Sequence, residues 1–163
     1  MIRAPASVIR LAAAWLLSAL VLTIPATALA EPAAHVNVQK GGVAVHGYDP
    51  VAYFTAGKPT PGKPEFTAVH EGATYRFATA ENLAAFKADP ARYAPQYGGW
   101  CAYGVAKGGK FDIDPQVWKV VDGKLYLNFN ASVGRTWSGD IPGYLKRSEA
   151  EWPKIKDTPA DKL

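Results

Sequence analysis

Val117-Trp118-Lys119-Val120-Val121-Asp122-Gly123-Lys124-Leu125-Tyr126-Leu127-Asn128-Phe129 is the stretch on which the fold turns. Two runs rich in β-branched and aromatic residues flank Asp122-Gly123. Both central positions of a tight two-residue turn want positive φ, which aspartate tolerates and glycine adopts freely, so the pair predicts a hairpin. Along the runs Trp118, Val120, Leu125 and Leu127 alternate with Lys119 and Tyr126, the pattern of a half-buried sheet.

Downstream, residues 132–137 and 142–152 read as helices, the second with Tyr144, Leu145, Ser148 and Trp152 on one side. Pro153 closes it, and 157–163 is a polar tail. Upstream, β-type runs at 66–69 and 74–77 surround a His70-Glu71-Gly72-Ala73 turn. Thr79 is placed to cap a helix that carries Leu83 and Phe86 inward and stops at Asp89-Pro90, where 90–93 begins another turn. Three prolines and a glycine make 58–64 a surface loop. Asp49-Pro50 reads as N-cap and first position of a short helix over 50–55 that ends at Gly57. A short apolar run at 43–46 between glycines reads as a strand, and 31–39 as a weakly patterned arm. The expected fold class is α+β: a small single domain of β-hairpins and short helices.

The first thirty residues have the layout of an export signal. Arg3 and Arg10 precede an apolar core of about 14 residues at 11–24, and Ala28-Leu29-Ala30 fits the small-x-small cleavage rule. That core is short of the roughly 20 residues a membrane-spanning helix needs. The expected organisation is therefore a signal peptide at 1–30, an N-terminal arm at 31–40, one domain at 41–156 and the tail at 157–163, with a periplasmic or secreted product and no membrane span after cleavage. The net charge of +4 falls to about +2 once Arg3 and Arg10 leave. The remaining lysines are interleaved with acids, which excludes a nucleic-acid footprint.

Several motifs resemble, in order, those of the stand-alone, exported YHS-domain proteins. They are Gly47-Tyr48-Asp49-Pro50-Val51-Ala52-Tyr53-Phe54, Tyr75-Arg76-Phe77 with Asn82, Phe86, Asp89-Pro90 and Tyr93, Pro95-Gln96-Tyr97-Gly98-Gly99-Trp100-Cys101-Ala102, the 122–128 hairpin, and Trp137 with Trp152-Pro153. The resemblance implies metal handling, copper in particular, since related modules occur in heavy-metal-transporting ATPases and beside metal-dependent enzymes. In those versions the Tyr-x-Phe strand runs into Cys-Ser-x-x-Cys. The matching residues here are Ala78 and Asn82, so both sulfur ligands are missing and 75–93 reads as scaffold.

Cys101 is the single cysteine of the chain. One thiol in an oxidising compartment is buried, bound, or paired with another molecule. Soft Cu(I) accepts thiolate and imidazole at low coordination number, so Cys101 with His46 is the candidate copper pair. His70 and His35 are weaker ligands, and Asp49 is better used as a cap. Gly98-Gly99 lets backbone approach closely, or aims N–H groups at an anion, or serves as a plain turn. Tyr48, Asp49, Tyr53, Tyr97, Gly98, Gly99 and Trp100 complete the motif and pocket candidates. Catalysis lacks support: there is no Ser-His-Asp ordering and no phosphate-binding loop, and a Cys101-His46-Asp49 set would make Asp49 abandon its cap. The sequence thus points to a non-catalytic YHS-type domain that binds or senses a metal ion, copper favoured, through Cys101, together with a metal-handling protein partner. The alternative is an interaction or small-ligand module in which Cys101 is structural.

Overall fold

Two tight turns organise the sheets. Asp122 and Gly123 take φ of 49° and 73°, and Glu71 and Gly72 take 50° and 75°, the paired left-handed conformations that a two-residue hairpin needs. The computed structural model describes Met1 and residues 35–163; the expected export signal lies outside them. Strands β1 (Val38–Gln39), β2 (Val43–Ala44), β3 (Lys63–His70) and β4 (Ala73–Phe77) form a sheet ordered β1-β2-β4-β3. Within it β2 runs parallel to β4, and the other pairs are antiparallel. Strands β5 (Asp114–Val121) and β6 (Lys124–Asn128) make a separate antiparallel ribbon. Among the described residues six α-helices join them: α1 (Ala52–Thr55), α2 (Ala80–Ala88), α3 (Pro90–Tyr93), α4 (Ala102–Val105), α5 (Ala131–Ser138) and α6 (Ile141–Ile155). Both classes of element are present in one small domain, as an α+β fold requires.

The 117–129 hairpin forms with Trp118 opposite Leu127 and Val120 opposite Leu125. Its second strand is more enclosed than the alternation predicts. Leu125 and Leu127 enter the main core, while Tyr126 on the other face is also buried, against Trp137 of α5. The helices that follow in sequence return to cover that face.

The caps are where the local chemistry puts them. Thr79 accepts the Asn82 N–H at 3.2 Å, and Asp89 accepts that of Arg92 at 3.2 Å. Asp49 does more than cap. One carboxylate oxygen accepts from the backbone N–H groups of Val51 (2.8 Å) and Ala52 (3.2 Å) at the start of α1. The other accepts from Ala78 N–H (2.8 Å) and Asn82 Nδ2 (2.6 Å), between β4 and α2. The side chain is wholly buried, so these four bonds answer its desolvation. Around it Phe86 sits 4.9 Å from the Tyr75 ring and 5.0 Å from that of Phe77. Tyr53 packs edge-on against Trp118 at 5.1 Å and donates its hydroxyl to the Pro115 carbonyl, joining α1 to the ribbon.

Three expectations change. The strand at 43–46 stops at Ala44, because Val45, His46 and Gly47 all take positive φ (51°, 51° and 79°). A β-branched residue is costly in that region; Val45 is held there with its side chain in the core. The 31–40 segment is not wholly an arm: Val36 is a core residue and Asn37 is buried, so the packed unit begins before residue 41. Pro153 lies inside α6, which continues to Ile155. A proline removes only its own N–H and crowds the carbonyl four residues back, and here the helix ends two residues later.

The C-terminal end of α6 is fastened from outside. The Lys110 ammonium donates to the carbonyls of Lys156 (2.7 Å) and Thr158 (2.6 Å), and lies 5.9 Å from the Trp100 ring and 5.6 Å from that of Trp152. A cation on terminal carbonyls offsets their unmet acceptors and the negative end of the helix dipole. Part of the tail is therefore anchored, at Thr158.

Candidate functional site

Cys101 stands at the start of α4, between the 96–99 turn and the helix. Its side chain is 1 % exposed. Its backbone N–H donates to the Phe111 carbonyl at 3.0 Å, and its carbonyl accepts from Val105 N–H at 2.9 Å. The thiol lies 3.6 Å from Asn128 Oδ1, an oxygen that also accepts the Tyr103 N–H at 3.1 Å. Burial pushes the Cys101 thiol up from its ordinary value, against the opposing pull of the Gly104, Phe129 and Tyr103 backbone N–H groups. Such a thiol is neutral at pH 7 and a poor nucleophile.

Above the sulfur is a cavity of about 320 Å³ lined by Cys101, Tyr103, Gly104, Phe111, Phe129 and Val133, with Lys107 at its edge. Two aromatic walls face solvent, Phe111 at 56 % exposure and Phe129 at 51 %. Phe111 is nonetheless seated: a Cβ at Gly104 or at Gly109 would run into its ring. Those two glycines let the ring lie flat on the backbone, so an exposed aromatic is pre-positioned. The Lys107 ammonium sits 5.5 Å from the Tyr103 ring.

His46 has a different setting. Its Nε2 is 2.8 Å from Asp112 Oδ1, which also accepts from Asn37 Nδ2 at 2.9 Å. Partial burial works to raise the Asp112 pKa, but the hydrogen bonds from Asn37 and His46 prevail and hold it below the usual carboxylate value. No three His, Cys, Asp or Glu side chains converge among the described residues, so the His46-Asp112 pair does not extend to Cys101. The donors at the Cys101 sulfur are an amide oxygen and backbone groups, and a lysine stands at the cavity's edge. That set does not fit copper, which asks for further sulfur or imidazole. The positions that match the cysteines of metal-associated modules, Ala78 and Asn82, both donate to Asp49.

The remaining candidates divide between two places. Tyr97, Gly98, Gly99 and Trp100 gather beside Cys101, whereas Tyr48, Asp49 and Tyr53 belong to the scaffold around α1. Tyr97 and Gly98 take φ of 56° and 60°, and Gly99 83°. The glycine pair presents carbonyls, not an anion cradle: Gly98 O accepts Asn37 N–H at 2.9 Å, and Gly99 O accepts Asn37 Nδ2 at 3.2 Å. A Cβ at Gly98 would strike the His35 carbonyl, which takes the Trp100 indole N–H at 3.1 Å. Burial raises the Tyr97 phenol to about 12, and its ring packs on Tyr126 and Trp152. His35 pairs with Glu71 at 3.0 Å, and His70 packs edge-on to Phe86 at 5.9 Å instead of standing free in a turn. Sequence reasoning passed over Phe111, Phe129, Val133 and Lys107. The one local hint was Lys107-Gly108-Gly109-Lys110-Phe111, a glycine pair set just before an aromatic.

The domain is small, and its cavity at Cys101 is built by the segments around α4. Residues 51–97 match the family model of the YHS domain. The chain therefore carries a YHS domain over these residues, with the match ending just before the Cys101 cavity. No curated protein and no solved structure matches it.

Proposed function

We propose that this YHS-domain protein is a non-catalytic binding module that holds a small apolar molecule against Cys101. The observation that carries the reading is the exposed Phe111 ring, seated on Gly104 and Gly109 over an apolar cavity of about 320 Å³. Exposed aromatics fixed in place over a concave apolar surface are typical of ligand sites, and this volume is at the small end of the ~300–1,000 Å³ such sites occupy. The neutral, buried thiol serves as soft, polarizable floor. An exported protein of this kind would meet its ligand outside the cytoplasm.

The test is a fluorescence titration with N-phenyl-1-naphthylamine. Saturable enhancement at one probe per chain is expected, lost when Val133→Trp fills the cavity and weakened roughly tenfold by Phe111→Ala, which removes about 1.4 kcal/mol of contact. Absence of saturable binding, or equal binding by Val133→Trp, would overturn the reading. So would near-stoichiometric copper in protein purified under reducing conditions that disappears in Cys101→Ser.

A further inference from the structure

A second cavity lies on the other side of Asn128, where β5 leaves its ladder. Asp114 faces Asn128 and Trp118 faces Leu127, so the register slips between them and residues 115–117 bulge. Bulges re-aim side chains and free backbone from pairing. Helix α5 comes close to this bulge because Gly134 has no Cβ; one built there would run into the Val117 side chain. The space left there is about 540 Å³ and open to solvent, and its walls include Gln116, Lys119, Asn128, Arg135 and Trp137.

Two features of these walls are unanswered. Trp137 is 1 % exposed, yet its indole N–H has no acceptor among the described residues. A buried donor without a partner costs about 1–3 kcal/mol, so native folds supply a water or a ligand to it. Arg135 and Lys119 are exposed and make no side-chain hydrogen bond or ion pair among the described residues. No Asp or Glu lines the cavity. An orphan donor on a wall residue and two exposed cations with no acid beside them suit an acceptor that carries negative charge. Trp118 and Val117 add apolar wall for the body of an organic anion.

We propose that the β5-α5 cavity binds a small carboxylate-bearing molecule. One carboxylate oxygen takes the Trp137 indole N–H, and Arg135 and Lys119 answer the charge. Arg135 suits this role through its planar fork of donors.

The probe is benzoate, with benzyl alcohol as the neutral control, titrated into the ¹⁵N-labelled full chain and followed on the indole resonances. The Trp137 signal is identified by its loss in Trp137→Phe. Benzoate is expected to move that signal saturably while benzyl alcohol leaves it in place. Arg135→Gln is expected to weaken benzoate roughly tenfold or more, as loss of a charge-assisted hydrogen bond does. A Trp137 indole signal indifferent to benzoate would mean that water alone answers the donor, and overturns the proposal. A benzoate response unchanged in Arg135→Gln overturns it equally.

Discussion

The segment matched by the YHS family model and the segment that follows it solve different problems. Residues 51–97 enclose a packed aromatic centre, Tyr75, Phe77 and Phe86, and the neighbouring Asp49 carboxylate satisfies four donors from three stretches of chain. The later segment lines two open cavities, leaves Phe111 and Phe129 exposed, and carries an indole N–H with no acceptor among the described residues. Filled volume marks a scaffold and open volume marks surfaces that meet other molecules; a buried donor without an acceptor among the described residues occurs in each segment, Arg76 Nε in the first and Trp137 Nε1 in the second. The positions that match the cysteines of metal-associated modules, Ala78 and Asn82, fall in the first segment, where both donate to the Asp49 carboxylate.

The contrast predicts where substitutions register. The largest effect is expected from Asp49→Ala, which orphans two buried and two part-buried donors. A loss of about 4 kcal/mol in urea unfolding is expected, and a loss under 1 kcal/mol would break the division. Gly98→Ala should come next, at about 2 kcal/mol, because it adds a Cβ at positive φ and drives it into the His35 carbonyl. Faster amide exchange at 36–39 would mark the site of the damage.

A smaller effect belongs to the thiol. Burial raises the Cys101 pKa, so its protonated form is favoured in the folded state. Its contribution is fully present below the ordinary value of 9.0 and is lost as pH climbs through the folded value. Stability should therefore fall as pH rises above 9.0, by at most about 1.4 kcal/mol per pH unit. Cys101→Ser should flatten that slope; an unchanged slope would assign it elsewhere. The smallest effect lies at Asp112, whose pKa is depressed. Its contribution is present above the ordinary 3.8 and is lost as pH falls below that value. Asn37→Ala should reduce this acid dependence slightly in unfolding curves taken between pH 2 and 5.

What the sequence disclosed was local. Asp122-Gly123, Glu71-Gly72, Thr79 and Asp89 act within a few residues of themselves, through φ preference or a side chain reaching a nearby N–H. Asp49 was legible as a cap, since Val51 and Ala52 adjoin it. Its second oxygen was not, because Ala78 and Asn82 lie 29 and 33 residues away. Pairings over such distances are set by the packing of whole elements and leave no periodic trace. The cavity at Cys101 was hidden for the same reason: Phe111, Phe129 and Val133 meet the thiol only once β6 and α5 fold back over α4. Lys110 reads as one more surface lysine until α6 delivers two carbonyls to it.

That lysine has a consequence for anyone trimming or tagging the chain. Both of its carbonyl partners, Lys156 and Thr158, lie beyond the last residue of α6. A stop codon after Thr158 should cost little, and a label fused beyond Leu163 should be tolerated. Ending the gene at Ile155 would keep every residue of α6 and still remove two carbonyls that hold the Lys110 ammonium beside two tryptophans. The practical boundary of the folded unit is therefore written by a side chain some 46 residues upstream, and a protease ladder read from the C-terminus should pause there.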